Sequence, residues 1–234
     1  MKRFLTARWE DLIMANFEVE PSLLDARIPL GTELDLHEGK CFVSLVGFMF
    51  LDTRVKDFLV PLHINFEEVN LRFYVRRVTG DDVRRGVVFI KEIVPRGAIA
   101  AVARMMYGEP YERWNMSNFR NDEHVRYSWE RRGCQNTLSV ARGKSFGVPD
   151  TNSHGEFIIE HYWGYTRRGS KRTDEYKVEH PKWELFEAEH PHIDVDFGKT
   201  YGEKFEFLTN EKPYSVLLAK GSEISVYKGM PIHL

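Results

Sequence analysis

The sequence predicts a mainly β protein, a β-rich α+β chain whose antiparallel strands form a closed or strongly curved sheet with a few short helices. Three observations predict it. The stretch EEVNLRFYVRR (67–77) alternates apolar and polar residues with the period of a strand. Beyond residue 120, strand-length runs follow one another between turn residues, hairpin after hairpin. Only one long run, PRGAIAAVARMMYG (95–108), reads as a helix. Many strands with few helices favour closure, because closure removes exposed strand edges.

Taken in order, WEDLIMANFEV (9–19) is apolar enough to be buried, and Pro21 then opens a helical turn that Gly31 closes. HEGK (37–40) is a turn and KCFVSLVGFMFLD (40–52) a strand. In the next strand Val69, Leu71, Phe73 and Val75 share one face, and Glu68, Asn70, Arg72 and Tyr74 share the other. A turn at Thr79-Gly80-Asp81-Asp82 leads into GVVFIKEIV (86–94), an apolar run of strand length. Pro95 ends it and starts a helix over about 96–107. Its small residues, Gly97, Ala98, Ala100, Ala101 and Ala103, let it approach a sheet closely; Gly108 caps it and Pro110 stops it. VRYSWERR and NTLSVAR flank Gly133-Cys134, while GEFIIEHYWGYT and TDEYKVEH flank a basic tip, Arg167–Arg172. KWELFEAEH, KFEFLTN, SVLLAKG and SEISVYKG read as further strands. With no internal repeat, low-complexity segment or linker, residues 1–234 read as one domain.

Composition narrows the function classes. The 234 residues are 42% hydrophobic, enough to bury a sizeable core. Their net charge of −2 argues against nucleic acid or an anionic membrane as main partner. Two isolated cysteines, Cys41 and Cys134, fit a reducing compartment. The start, MKRFLTARWEDLIM, lacks the apolar core of a signal peptide, because Glu10 and Asp11 interrupt it, and no run is long enough to span a bilayer. A cytoplasmic protein is the expectation.

Four stretches carry a resemblance: EVNLRFYV (68–75), GVVFIKEIVPRGAIAAVARMMYGEPY (86–111), FIIEHYWGYT (157–166) and His180-Pro181-Lys182-Trp183. Through them the chain resembles the YqjF-like family of uncharacterised bacterial proteins, within the acetoacetate-decarboxylase-like β-barrel superfamily, clearly from Arg8 to Trp183 and loosely beyond. The resemblance implies an antiparallel barrel with the helix packed against it or plugging it, and assembly into a homo-oligomer. In acetoacetate decarboxylases the matching helix ends in an aromatic residue and then Gly-Tyr-Pro-Lys-Lys. The first lysine forms a Schiff base with the keto acid and the second lowers its pKa. Here Tyr111 and Glu112 occupy the two lysine positions. Neither can form an imine, so decarboxylase activity of that kind is not expected. A cavity-lining glutamate of those enzymes matches Glu68.

Each candidate has a functional and a structural reading. Glu68, Asn70, Arg72 and Tyr74 could line a cavity, Arg72 holding an anion and Glu68 acting as base, or could be an outward solvated face. Tyr111 could supply a hydrogen bond or proton inside; Glu109 and Glu112 read as surface charges at a helix end. Lys91 and Glu92 are adjacent on an apolar strand and point to opposite faces. Lys91 could be a relocated amine or a strand-end lysine reaching water, and Glu92 should find a partner such as Arg72 or Arg104, or serve as base. Glu160 and Tyr162 could add to a cavity wall from one strand face, opposite His161 and Trp163. Glu189–Asp196 holds two imidazoles and several carboxylates, but His190-Pro191-His192 matches no standard zinc spacing, so no metal and no cofactor is assigned. The basic tip reads as solvated. The expectation is a cavity for a small polar or anionic organic molecule with acid/base chemistry that uses no Schiff base: Glu68, Glu92 and Tyr111 catalytic, Arg72, Asn70, Tyr74, Arg104 and Glu160 binding. The alternatives are a non-catalytic binding or sensing module, or an interaction protein with a filled barrel.

Overall fold

The computed structural model describes residues 1–59, 64–96, 108, 110–169 and 171–232. Among the described residues fifteen strands, mostly antiparallel, belong to one sheet. In chain order they are β1 (Arg3–Val19), β2 (Glu33–Leu34), β3 (Cys41–Val55), β4 (Phe58–Leu59), β5 (Phe66–Thr79), β6 (Asp82–Val94), β7 (Tyr111–Arg113), β8 (Asn115–Arg120), β9 (His124–Arg131), β10 (Cys134–Gly147), β11 (Trp163–Arg168), β12 (Arg172–Glu179), β13 (Leu185–Asp194), β14 (Ser215–Tyr227) and β15 (Met230–Pro231). Two short α-helices are described, α1 (His154–Ile159) and α2 (Phe197–Tyr201). The helix expected over 96–107 falls on residues 97–107, outside the described residues. Gly108 just after it has φ +69°, the left-handed conformation that a helix stop uses.

The strands β12-β11-β6-β5-β3-β1-β14 run side by side, and a pairing of β14 with β12 closes them into a ring. The branch β14-β13-β10-β9-β8 folds over the outside of the ring. Strand alternation therefore gives two cores. Outward residues of the ring (Ile13, Phe17, Val43, Leu45, Val69, Leu71, Phe73) pack against the covering sheet through Tyr127, Trp129, Leu138 and Val140. Inward residues (Met14, Phe42, Val46, Phe48, Phe50, Phe66) pack against Phe157, Ile158, Ile159 and Trp183. Each fully buried side chain of this size contributes about 1.5–3 kcal/mol. Both faces of β5 are thus buried, which rules out the solvated-face reading of its polar residues.

Four expected strands differ. GEFIIEHYWGYT is not one strand. Ser153 caps α1 by accepting from the Glu156 backbone N–H at 3.2 Å, and β11 starts only at Trp163. KFEFLTN forms a 3-10 turn, Glu203–Thr209, whose Phe205 and Leu208 are buried one turn apart. SVLLAKG and SEISVYKG are one strand, β14, bent at Gly221. There φ is +81° and a Cβ would lie 2.0 Å from the Trp9 carbonyl oxygen, so no side chain fits. Among the described residues, no helix is long and apolar enough to cross a membrane.

Candidate functional site

Register places the inward polar residues in rows across the ring. Ser215, Asn16, Ser44, Arg72 and Phe89 stand side by side on β14, β1, β3, β5 and β6. One row along, Met14, Val46, Asn70, Glu92 and Tyr111 do the same, the last from the short parallel strand β7. Successive inward residues of a strand are about 7 Å apart, so the two rows are neighbours along the strands.

A bulge decides which residue of the Lys91-Glu92 pair enters. Leu71 pairs with Lys91 but Arg72 with Phe89, leaving Ile90 as the extra residue. Had alternation run on unbroken from Val87 and Phe89, Lys91 would be the inward residue. Instead Ile90 and Lys91 both face outward and Glu92 faces in, 1% exposed. Lys91 pairs with Glu112 at 2.9 Å. The relocated-amine reading of Lys91 fails for that reason. Every lysine of the chain is among the described residues, and none is buried.

Tyr111 and Glu112 separate in the same way, as neighbours on a strand. The Tyr111 hydroxyl points in and donates to Glu68 Oε2 at 3.3 Å, while Asn70 Nδ2 donates to Glu68 Oε1 at 3.0 Å. Glu112 points out, accepting from Trp114 Nε1 (3.0 Å) and Arg131 (2.5 Å) as well as Lys91. Burial draws its pKa up, but the Trp114 and Lys91 hydrogen bonds and the cations outweigh it and hold the carboxyl below the usual range. Glu109 and Arg104 lie outside the described residues.

At the other end of the stripe, Ser44 Oγ donates to Asn16 Oδ1 at 2.6 Å, so the Tyr74 hydroxyl, 2.7 Å from Ser44 Oγ, donates to Ser44. Asn16 Nδ2 passes the chain to Ser215 Oγ (2.9 Å), which lies 2.7 Å from His154 Nε2. This network fixes Tyr74 beside Arg72, whose guanidinium sits 5.7 Å from the Tyr74 ring and donates to the Ile158 carbonyl at 3.5 Å. The partner expected for Glu92 is not found in Arg72, whose hydrogen bonds go to Ile158 and the Met14 sulfur.

The end of α1 closes the ring beside Arg72. Glu160 is buried there as the C-cap of α1, not on a strand with Tyr162, and accepts from the Tyr162 hydroxyl at 2.5 Å. The Tyr162 ring lies 4.7 Å from that of His180, which stacks on Trp183 at 4.0 Å. His161 is buried against Tyr74, ring centroids 4.6 Å apart, and its Nε2 donates to Asp35 Oδ2 at 3.1 Å, an oxygen Arg85 also reaches at 2.7 Å. Burial pushes the His161 pKa down to about 4 against the pull of Asp35, so the ring is neutral at pH 7. Asp35 is drawn up by burial but held below its ordinary value by His161 and Arg85.

Sequence reasoning missed Asn16, Ser44, Asp35, His161 and His180 as members of this region. Asn16 and Ser44 did leave a signal, each a lone polar residue inside an otherwise apolar strand run. Elsewhere, a cleft of about 870 Å³ lies outside the ring, lined by Glu18, Lys40, Cys41, Lys204, Phe207 and Tyr214 among others, with charges of both signs. The His190-Pro191-His192 segment is part of exposed, bulged β13. Among the described residues no group of three or more His, Cys, Asp or Glu side chains could hold a metal ion.

The family model described as "Uncharacterized conserved protein" (DUF2071) matches residues 6–223. The chain belongs to the DUF2071 family. It is similar to the uncharacterized protein YqjF of Bacillus subtilis (strain 168), with 26% identity over 185 residues, 77% of this chain and 74% of that protein. Among solved structures it resembles an acetoacetate decarboxylase from Legionella pneumophila, with a TM-score of 0.68 and 13% identity, covering 99% of this chain and 88% of that one. It also resembles the enduracididine biosynthesis enzyme MppR complexed with pyruvate, with a TM-score of 0.70 and 12% identity, covering 99% of this chain and 91% of that one. The DUF2071 chain therefore has the acetoacetate-decarboxylase-like fold, as its residues led one to expect. At these identities the likeness shows the fold alone.

Proposed function

We propose that this DUF2071 protein binds a small carboxylic acid inside the ring. In this reading Arg72 holds the carboxylate, and Glu68 with Tyr111 supplies proton transfer without an imine. One observation carries the reading: the inward face of β5 puts Glu68, Asn70 and Tyr74 at 2% exposure or less, beside a guanidinium, where an apolar filling would have been more stable. A structurally similar enzyme, MppR, is complexed with pyruvate, which supports a short acid as ligand. Loss of both lysine positions, together with the absence of any buried lysine, argues against a covalent amine intermediate. Glu92, beside Asn70, is a second inward carboxylate and the alternative base in this reading. Assembly into a homo-oligomer goes with this reading.

The test pairs binding with trapping. Pyruvate should bind measurably by calorimetry, and Tyr111→Phe should alter turnover of whatever acid is processed far more than it alters affinity. Borohydride added to the pyruvate complex should leave the protein mass unchanged. A mass gain of one reduced pyruvate adduct would defeat the non-imine reading.

A non-catalytic sensor is the second reading, favoured by Glu112. One of the two residues at the lysine positions is consumed by ion pairs with Lys91 and Arg131 and faces away from the interior. Binding with no conversion of any short acid would favour it.

A further inference from the structure

Resting on the reading of the interior as a carboxylic-acid site, the geometry points to a narrower ligand class: a short acid that carries hydrogen-bond donors, hydroxyl or ammonium, along its chain. The polar atoms left without a partner near Arg72 carry this. Among the described residues, buried atoms with no hydrogen bond include Arg72 Nε, Asn70 Oδ1, Glu160 Oε1 and His161 Nδ1. Only the first is a donor. Asn70 has committed its amide nitrogen to Glu68, so its oxygen is what remains. Glu160 has one oxygen occupied by Tyr162. His161 holds its proton on Nε2 toward Asp35, which leaves a lone pair on Nδ1.

These residues adjoin one another around Arg72. Asn70 and Arg72 are successive inward residues of β5. Arg72 donates to Ile158, two residues before Glu160, and the His161 ring lies against the Tyr74 ring that flanks the guanidinium. A buried acceptor without a donor is costly, and native interiors rarely keep several together. A plain acid or a keto acid would satisfy Arg72 and bring only further acceptors. A hydroxy acid or an amino acid would bring the donors that Asn70, Glu160 and His161 lack.

Calorimetry on the wild-type chain with propionate, pyruvate, glycerate and serine tests this. The expected result is that glycerate or serine binds at least about tenfold more tightly than propionate and pyruvate, and that Glu160→Gln narrows the margin. Preference for glycerate alone assigns hydroxyl donors, and preference for serine alone assigns an ammonium. Equal affinity for all four overturns this inference and leaves the carboxylic-acid site standing. Binding of none of the four overturns the site itself. If circular dichroism shows that Glu160→Gln does not fold, the wild-type comparison decides alone.

Discussion

The outward face of β5 presents Val69, Leu71, Phe73 and Val75, and the inward face presents Glu68, Asn70, Arg72 and Tyr74. Six of these side chains are 1% exposed or less, Glu68 is 2% exposed and Arg72 is partly buried, so burial alone does not separate the faces. What separates them is how burial is repaid. Outward, each side chain gains from area removed from water and from close packing against the covering sheet. Inward, each polar group must recover its lost hydration through hydrogen bonds, and around Arg72 that recovery is incomplete. A strand that folds equally well with two apolar faces has no need of the second arrangement. That difference is why the proposed site is put on the inward face.

Ways to break this contrast run from large to small. Phe73→Ala on the outward face should cost about 3–5 kcal/mol in urea unfolding, by loss of packing and creation of a cavity. A loss below about 1 kcal/mol would show that the outward core is loosely packed.

Acid should act on the inward side. His161 has a folded pKa of about 4 against an ordinary 6.5, because burial disfavours its charged form. The unfolded chain therefore binds the proton first. Stability is fully present above pH 6.5 and is lost as pH falls toward 4, by roughly 3 kcal/mol for this group. His154, also lowered to about 4 by burial and by His37, adds to the same slope. Unfolding midpoints measured from pH 7.5 to 4.5 should drop steeply, and less steeply in His161→Gln. Identical slopes would remove His161 from the account.

Ser44→Ala should cost about 1–3 kcal/mol, since it strands both the Asn16 carbonyl and the Tyr74 hydroxyl in the interior. Retention of full stability would mean that water replaces the serine. Glu112→Gln on the outside should cost less than about 1 kcal/mol at neutral pH, its partners being partly exposed. Because the folded Glu112 pKa is lowered, that contribution is present above its ordinary 4.5 and vanishes as pH falls through the folded value. A change in ligand affinity in Glu112→Gln would contradict its outward placement.

Much of this was legible in the residues. The alternation of 67–77 showed two chemically different faces, and the adjacency of Lys91 and Glu92 showed that only one of them could point inward. Which one could not be read, because the Ile90 bulge depends on pairing with β5 and leaves no mark on the local pattern. Nor could the polar face of β5 be assigned inward, since a solvated strand has the same alternation. Helix α1 did leave a mark, the spacing Ser153-x-x-Glu156. There the serine caps the helix and the Glu156 carboxylate accepts from the Asn152 backbone N–H at 2.6 Å. The β-branched and aromatic residues after it outweighed that signal. Asp35 and His161 are 126 positions apart in sequence and meet only through the closed ring.

The most direct test of the contrast between the faces is Arg72→Met, with unfolding free energy and glycerate affinity measured on the same preparation. Stability should hold or rise by about 1 kcal/mol, because a partly buried charge with an unmet hydrogen bond is replaced by apolar volume. Affinity should fall at least about tenfold, because the carboxylate loses its charge-assisted partner. A stability loss of the size expected for Phe73→Ala, with affinity unchanged, would show that Arg72 is a structural residue and that the inward face of β5 is not a binding site.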